Sequence, residues 1–246
     1  MKDSRMDLLV TIDIEGNSGE YECVNDLYSM LNEIDFGCTL FVTPDVVKNR
    51  TELVEDWIKD DHEVGLHIHP RRMTGGSDWL TEYKENEIED MVINGTLVFE
   101  DELSYTPDIF RAGRWAYSNP MLKALGSQGY SIDASLRPRE ETNPYRRYGV
   151  KEVPHTVYSN VAVKAALKPF TVESIPFHAD GWLSKSRLPR LFFHSVTLRK
   201  TASQPDYFMT SFHDYDVEAT TLRDRITSYI KKLKRKATPI TINETV

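Results

Sequence analysis

Short apolar runs alternate along this chain with longer stretches of helical spacing. Residues 6–12 read Met-Asp-Leu-Leu-Val-Thr-Ile, a compact run that predicts a buried first strand. Residues 20–36 carry Val24, Leu27, Tyr28, Leu31 and Ile34 at helical spacing, and Gly37 predicts the helix end. Residues 38–42 predict a second buried strand. Pro44 opens a predicted helix holding Val46, Val47, Leu53, Val54, Trp57 and Ile58. In residues 62–70, His-Glu-Val-Gly-Leu-His-Ile-His-Pro, the apolar Val64, Leu66 and Ile68 alternate with His67 and His69. That is the period of a strand with one apolar face, and Pro70 stops it. The order strand, helix, strand, helix, strand implies parallel strands joined by right-handed crossovers.

The second half keeps the same alternation less cleanly. Residues 78–100 predict an acidic helix with Ile88, Met91, Val92 and Leu97 on one face, and Pro107 breaks the chain. Ile109 and Phe110 lead into Arg111-Ala112-Gly113-Arg114-Trp115, a fourth strand end. A short helix is predicted at 120–125 and a fifth strand at 130–135, with Asp133 near its end. Residues 137–160, rich in Pro, Arg and Tyr, read as a long surface excursion that shapes substrate access. An edge-like strand is expected at 171–177, and a helix or two at 180–204 carrying His194. Residues 207–212 predict the last strand, ending in His213-Asp214-Tyr215-Asp216. Residues 219–236 predict a closing helix with Leu222, Ile226, Tyr229, Ile230 and Leu233 on one face. There is no repeat and no linker, so residues 1–246 read as a single α/β domain.

Composition narrows the partners. The 246 residues are 40% hydrophobic and 28% charged, with a net charge of −8, which argues against nucleic acid or an anionic membrane as the main partner. The basic run at 231–236 reads as the solvated face of the last helix. Two cysteines, Cys23 and Cys38, make no disulfide framework and suit a reduced setting. The apolar run at 8–12 is too short for a signal-peptide core, and no stretch is long enough to span a membrane. A cytoplasmic location is the expectation.

Reactive residues recur at the predicted strand ends: Asp13 and Glu15, His67 and His69, Arg111, Asp133, and His213. In a parallel barrel all strand C-termini meet on one face. Residues two apart on an extended segment point the same way, so His67 and His69 can converge on one point. Two neutral imidazoles make half a metal site, and a carboxylate or a third imidazole would complete it. Arg114, Trp115 and Asp133, at the same face, are expected to contact substrate. Trp79, Trp115 and Trp182 are each able to stack on a sugar ring or to pack in the interior. His155, His178 and His194 lie outside any motif and read as structural.

Thr11-Ile12-Asp13-Ile14-Glu15, residues 62–70, Phe110-Arg111-Ala112-Gly113-Arg114 and Ser211-Phe212-His213 resemble, in order, four motifs of the polysaccharide deacetylase (NodB-homology) family. The resemblance covers most of the chain and weakens between 137 and 205. It implies a distorted (β/α) barrel of about seven parallel strands, one divalent metal, usually zinc, and hydrolysis of acyl groups, mostly on amino sugars. By resemblance Asp13 matches the catalytic base, Glu15 and His67 two metal ligands, Arg111 the partner of the base, and His213 the general acid. Two departures stand out. Ile14 separates acids that are usually adjacent. The second metal histidine usually lies four residues after the first, where this chain has Arg71. His69 is the natural substitute and His62 the alternative, and the roles of Asp13 and Glu15 could be exchanged. Asp133 or Asp216 could support His213.

This implies a metal-dependent hydrolase that removes an N-acyl group, such as acetyl, from a carbohydrate or sugar precursor. The competing readings are a small-molecule amidohydrolase on the same barrel and a non-catalytic carbohydrate-binding homologue.

Overall fold

The structure is a computed structural model that describes residues 6–16, 21–136, 144–155, 157–158, 179–180, 207–235 and 237–245. The chain opens with β1 (Met6–Ile14), α1 (Glu22–Ile34), β2 (Thr39–Val42), α2 (Pro44–Asn49), α3 (Thr51–Lys59) and β3 (Glu63–Ile68). It continues with α4 (Pro70–Thr74), α5 (Glu85–Leu103), β4 (Ile109–Ala112), α6 (Asn119–Ser127) and β5 (Ile132–Asp133). An antiparallel hairpin follows, β6 (Tyr145–Arg147) with β7 (Val150–Glu152), then a two-stranded ribbon, β8 (Val157–Tyr158) with β9 (Ala179–Asp180). β10 (Tyr207–His213), α7 (Thr220–Lys234) and β11 (Ala237–Ile240) come last.

The main sheet runs in the order β10-β1-β2-β3-β4-β5-β7-β6. Its strands from β10 to β7 are all parallel, as expected for the barrel, and only β6 runs antiparallel. β1 is the hub. β10 pairs with it from Asp7 to Asp13, while β11 takes the first half of its other edge and β2 the second half.

Strand alternation splits the core in two. Leu8, Val10, Ile12 and Ile14 of β1, with Leu40, Val64, Leu66 and Phe110, join helix residues such as Leu27, Trp57, Val92 and Ile230 in one fully buried cluster. Leu9, Phe41, Ile109, Ile132, Tyr207 and Met209, on the opposite face, form a second, smaller cluster closed by Ile242. Each fully buried large apolar side chain contributes about 1.5–3 kcal/mol, so the outer layer carries most of the stability.

Several sequence expectations change in detail. The helix opened by Pro44 is two helices, broken at Arg50. α1 ends at Ile34 with Asp35, not Gly37, in the left-handed conformation. Gly37 is instead needed for close approach, because a Cβ there would lie 2.7 Å from the Asp61 carbonyl oxygen. Pro70 both ends β3 and begins α4. The surface excursion expected at 137–160 contains the β6–β7 hairpin, and β7 extends the parallel sheet beside β5. β11 had no clear signal in the sequence. The basic run of α7 does form a helix face, with Lys231 and Lys234 reaching Glu33 and Asp35. The strand expected at 171–177 and, beyond Asp180 of β9, the helices expected at 180–204, with His178, Trp182 and His194, lie outside the described residues. Among the described residues no helix is long and apolar enough to cross a membrane.

Candidate functional site

The strand ends bring three donor atoms together. His67 lies within β3, and His69 stands just past its end in an extended conformation (φ −106°, ψ 105°). The two rings therefore share a side, edge to face with centroids 5.0 Å apart. Glu15 directly follows β1. Its Oε1 lies 3.1 Å from His69 Nε2 and 3.6 Å from His67 Nε2. Glu15, His67 and His69 each offer a ligand atom, all within 4.8 Å of one another.

Each far atom of this set is held by a different partner. His67 Nδ1 donates to the Arg111 carbonyl (2.8 Å), which leaves Nε2 to face the cluster. That buried Nε2 has no hydrogen-bond partner among the described residues. His69 Nδ1 donates to Asp78 Oδ1 (3.0 Å). Glu15 Oε2 accepts from Arg72 (3.4 Å), so Oε1 alone points inward. Arg72 also binds the Glu15 and Gly16 carbonyls and Asp45. Asp214 Oδ2 accepts from the Glu15 and Gly16 amides (3.1 and 2.7 Å), pinning the turn that carries Glu15. A Cβ at Gly113 would lie 2.5–2.7 Å from the His69 ring, so this glycine makes room for the imidazole. An orphaned buried imidazole nitrogen, an aimed carboxylate oxygen and an outer partner for each ligand fit a divalent cation. Burial would raise the Glu15 pKa, but hydrogen bonds and charge from His67 and His69 outweigh it and hold the carboxylate well below its usual range.

Asp13 and His213 are register neighbours on β1 and β10. Arg111, fully buried, donates from Nη1 to Asp13 Oδ1 (2.7 Å) and to Thr11 Oγ1 (3.0 Å). Its Nε donates to the Ala134 carbonyl, and its plane lies over the Phe41 ring. Burial pushes the Asp13 pKa up, yet Arg111, His67 and His213 together bring it below its ordinary value. His213 Nε2 is 3.4 Å from Glu15 Oε1, and its Nδ1 is 3.4 Å from Asp216 Oδ2. Its ring stacks on Tyr215 at 4.3 Å. Asp216, rather than Asp133, is thus the acid behind His213.

The remaining candidates divide. Arg114 stands at the rim with its side chain 59% exposed and its Nε on Asp78 Oδ2 (2.8 Å). Arg114 and Trp115 both have positive φ (59° and 56°), an unusual pair for non-glycine residues. Trp115 turns inward, over Arg111 and edge-on to His155. Asp133, expected to touch substrate, is fully buried, hydrogen-bonded to Ser135, and on the helix side of the sheet against Glu152, so it offers nothing to a ligand. His62, the alternative ligand, sits at the opposite end of β3, where its Nδ1 accepts from the Cys38 amide. Four strand residues stand between it and His67, a rise of about 16 Å. His155 is buried with Nε2 3.0 Å from Ser211 Oγ, which itself meets Thr11. The sequence assigns no role to Asp78, Arg72 or Asp214, because acids and arginines in loops, turns and a one-turn helix carry no periodic signal. A cleft of about 1040 Å³ opens beside His69, with Thr43, Asp45, Lys48, Arg72, Tyr83 and Asn94 among its polar walls.

A family model described as polysaccharide deacetylase matches residues 5–132. No curated protein sequence matches the chain. Among solved structures, a protein from Mycobacterium smegmatis assigned as a polysaccharide deacetylase superposes with a TM-score of 0.63 at 15% identity, covering 98% of this chain and 95% of that one. The peptidoglycan deacetylase PdaC from Bacillus subtilis gives 0.57 at 15% identity, covering 99% and 91%. BA3943 from Bacillus anthracis, a CE4 family pseudoenzyme, gives 0.58 at 15% identity, covering 98% and 65%. At these identities the likeness is one of fold.

Proposed function

The chain belongs to the polysaccharide deacetylase family, and we propose that it is a metal-dependent hydrolase removing an N-acyl group, acetyl in the simplest case, from a carbohydrate or sugar precursor. The donor set Glu15 Oε1, His67 Nε2 and His69 Nε2 carries this reading. Two histidines and one carboxylate with open positions suit zinc. A divalent ion held there would acidify water and polarise the acyl carbonyl.

The other roles fall to the chain itself. Asp13 accepts the proton of the attacking water as general base. Arg111 keeps that carboxylate ionised and fixed in direction by a charge-assisted hydrogen bond. His213 gives a proton to the departing nitrogen, with Asp216 behind its Nδ1 orienting the ring. Tyr215 limits its rotation by stacking. Exposed Trp79 and the guanidinium of Arg114 stand at the rim, where a sugar ring can rest. The polar cleft beside His69 suits a hydroxyl-rich substrate.

Metal content, binding and acyl release test this reading together. Wild-type protein should bind about one zinc-like ion per chain, and Glu15→Ala and His67→Ala should lose it. Asp13→Asn should keep the ion while acyl release from N-acyl sugars falls by about 10²–10⁴-fold. Stripped wild-type protein that takes up no zinc would overturn the proposal. Turnover of acylated polyamines in preference to sugars would redirect it to the amidohydrolase reading.

A further inference from the structure

We infer that Asp78, carried on the loop between α4 and α5 and gripped by Arg114, is the positioning residue that makes His69 a metal ligand. This rests on the metal-dependent reading above. β3 pairs with β4 only as far as Ile68 and Ala112, so His69 lies one residue beyond the ladder. Its ring must then be restrained by side chains.

Asp78 supplies the directional restraint. A carboxylate only accepts, so the 3.0 Å contact commits His69 Nδ1 to donating to Asp78, and the nitrogen turned to the cluster, where it would ligate, is Nε2, 3.1 Å from Glu15 Oε1. Without that contact either nitrogen could turn toward the cluster. The second Asp78 oxygen is taken by Arg114 Nε at 2.8 Å, so both oxygens are committed. Gly113, next to Arg114, gives the ring its bed. The left-handed backbone at Arg114 turns the chain out of β4, and Arg114 meets Asp78 at the rim.

The loop that presents Asp78 is tied down. Gly75 ends α4 in the left-handed conformation and sends the chain back. The Tyr83 hydroxyl donates to the Ser77 carbonyl (2.9 Å) and lies 3.0 Å from Thr74 Oγ1. The Gly76 amide donates to Thr74 Oγ1 and the Trp79 amide to Ser77 Oγ. A Cβ at Gly76 would lie 2.7 Å from the Tyr83 hydroxyl. Three hydrogen-bonding side chains thus staple a short loop whose inward-facing acid meets the ligand.

The test is zinc affinity, measured by competition with a chromophoric chelator, together with the visible spectrum of the cobalt-loaded protein. Asp78→Ala should weaken zinc binding by about 10–100-fold and alter the cobalt bands, because His69 loses its fixed tautomer and direction. Asp78→Asn keeps an acceptor oxygen and should lose less. Arg114→Gln should fall between Asp78→Asn and wild type. Wild-type affinity and an unchanged cobalt spectrum in folded Asp78→Ala would overturn the inference and leave the metal-dependent reading standing. If Asp78→Ala does not fold, the same result in both Asp78→Asn and Arg114→Gln would do so. Wild-type protein that binds neither ion would overturn both.

Discussion

The two faces of the parallel sheet are built on opposite rules. On the helix side, β1 presents Leu8, Val10, Ile12 and Ile14, apolar from end to end. On the inner side the same strand presents Leu9, Thr11 and Asp13, passing from apolar to charged within five residues. β10 does the same with Met209, Ser211 and His213. The outer face buys stability by uniform burial. The inner face is stable only in its apolar lower part, and its upper part stands because each polar group has a partner. Arg111 shows the cost of that arrangement: a fully buried guanidinium is tolerable because Asp13, Thr11 and the Ala134 carbonyl all receive it.

Removing that guanidinium should break the inner face most severely. Arg111→Ala would leave the Asp13 carboxylate buried and uncompensated, and should cost about 3–5 kcal/mol in urea unfolding. Adding Asp13→Asn in the same chain should recover part of the loss, because the stranded charge is gone. If the double variant is as unstable as the sum of the two single ones, the pair does not set the stability of the inner face.

The outer face has a buried ionisable exception among the described strand residues. Asp133 on β5 and Glu152 on β7 are register neighbours, both fully buried. Burial and the neighbouring Asp133 carboxylate push the Glu152 pKa far up, and burial raises Asp133. The folded pair therefore keeps a proton that the unfolded chain releases above about pH 4.3. Its contribution is fully present below that pH and is lost as pH rises. For one retained proton the slope is about 1.4 kcal/mol per pH unit. Glu152→Gln mimics the protonated acid and removes the slope. Its stability advantage over wild type in urea unfolding should widen from pH 5 to pH 8. A gap that stays constant with pH would show that the pair holds no extra proton.

The same contrast explains what could be read in the sequence. Apolar runs on the outer face announce β1, β2, β3 and β10, because burial there demands hydrophobic residues regardless of partners. Asp13, Glu15, His67, His69, Arg111 and His213 were legible too, since strand period and strand ends bring them to one mouth. What holds them was not. Asp78 and Asp214 come from a loop and a strand-end turn and Arg72 from the one-turn helix α4, where position depends on local hydrogen bonds such as that of Tyr83 to Ser77. Asp133 looked like one more strand-end acid. A shift of one residue against Ile132 puts it on the helix side, and the period-two rule decides its fate. The β6–β7 hairpin is made of three-residue strands, too short to show a period, and β11 is a short strand held by β1, remote in sequence.

Two adjacent residues on β1 offer the finest test of this division. Thr11 and Ile12 are both fully buried and both β-branched, but they face opposite sides. Ile12→Val removes one methylene from the helix-side cluster and should cost about 0.5–1.5 kcal/mol. Zinc affinity and turnover should stay at wild-type values, because Ile12 touches none of the polar groups. Thr11→Val is nearly the same size, yet it deletes the hydroxyl that meets Ser211 Oγ at 2.6 Å and Arg111 Nη1 at 3.0 Å. It should cost about 1–3 kcal/mol for the polar groups left short of a partner. It should also lower kcat, because Arg111 loses a second anchor and Asp13 the rigidity of its partner. Equal losses of stability with equal, unchanged turnover would mean that the inner network is packing alone. A fall in kcat confined to Thr11→Val would mean that the polar stack beneath Asp13 works to orient the base.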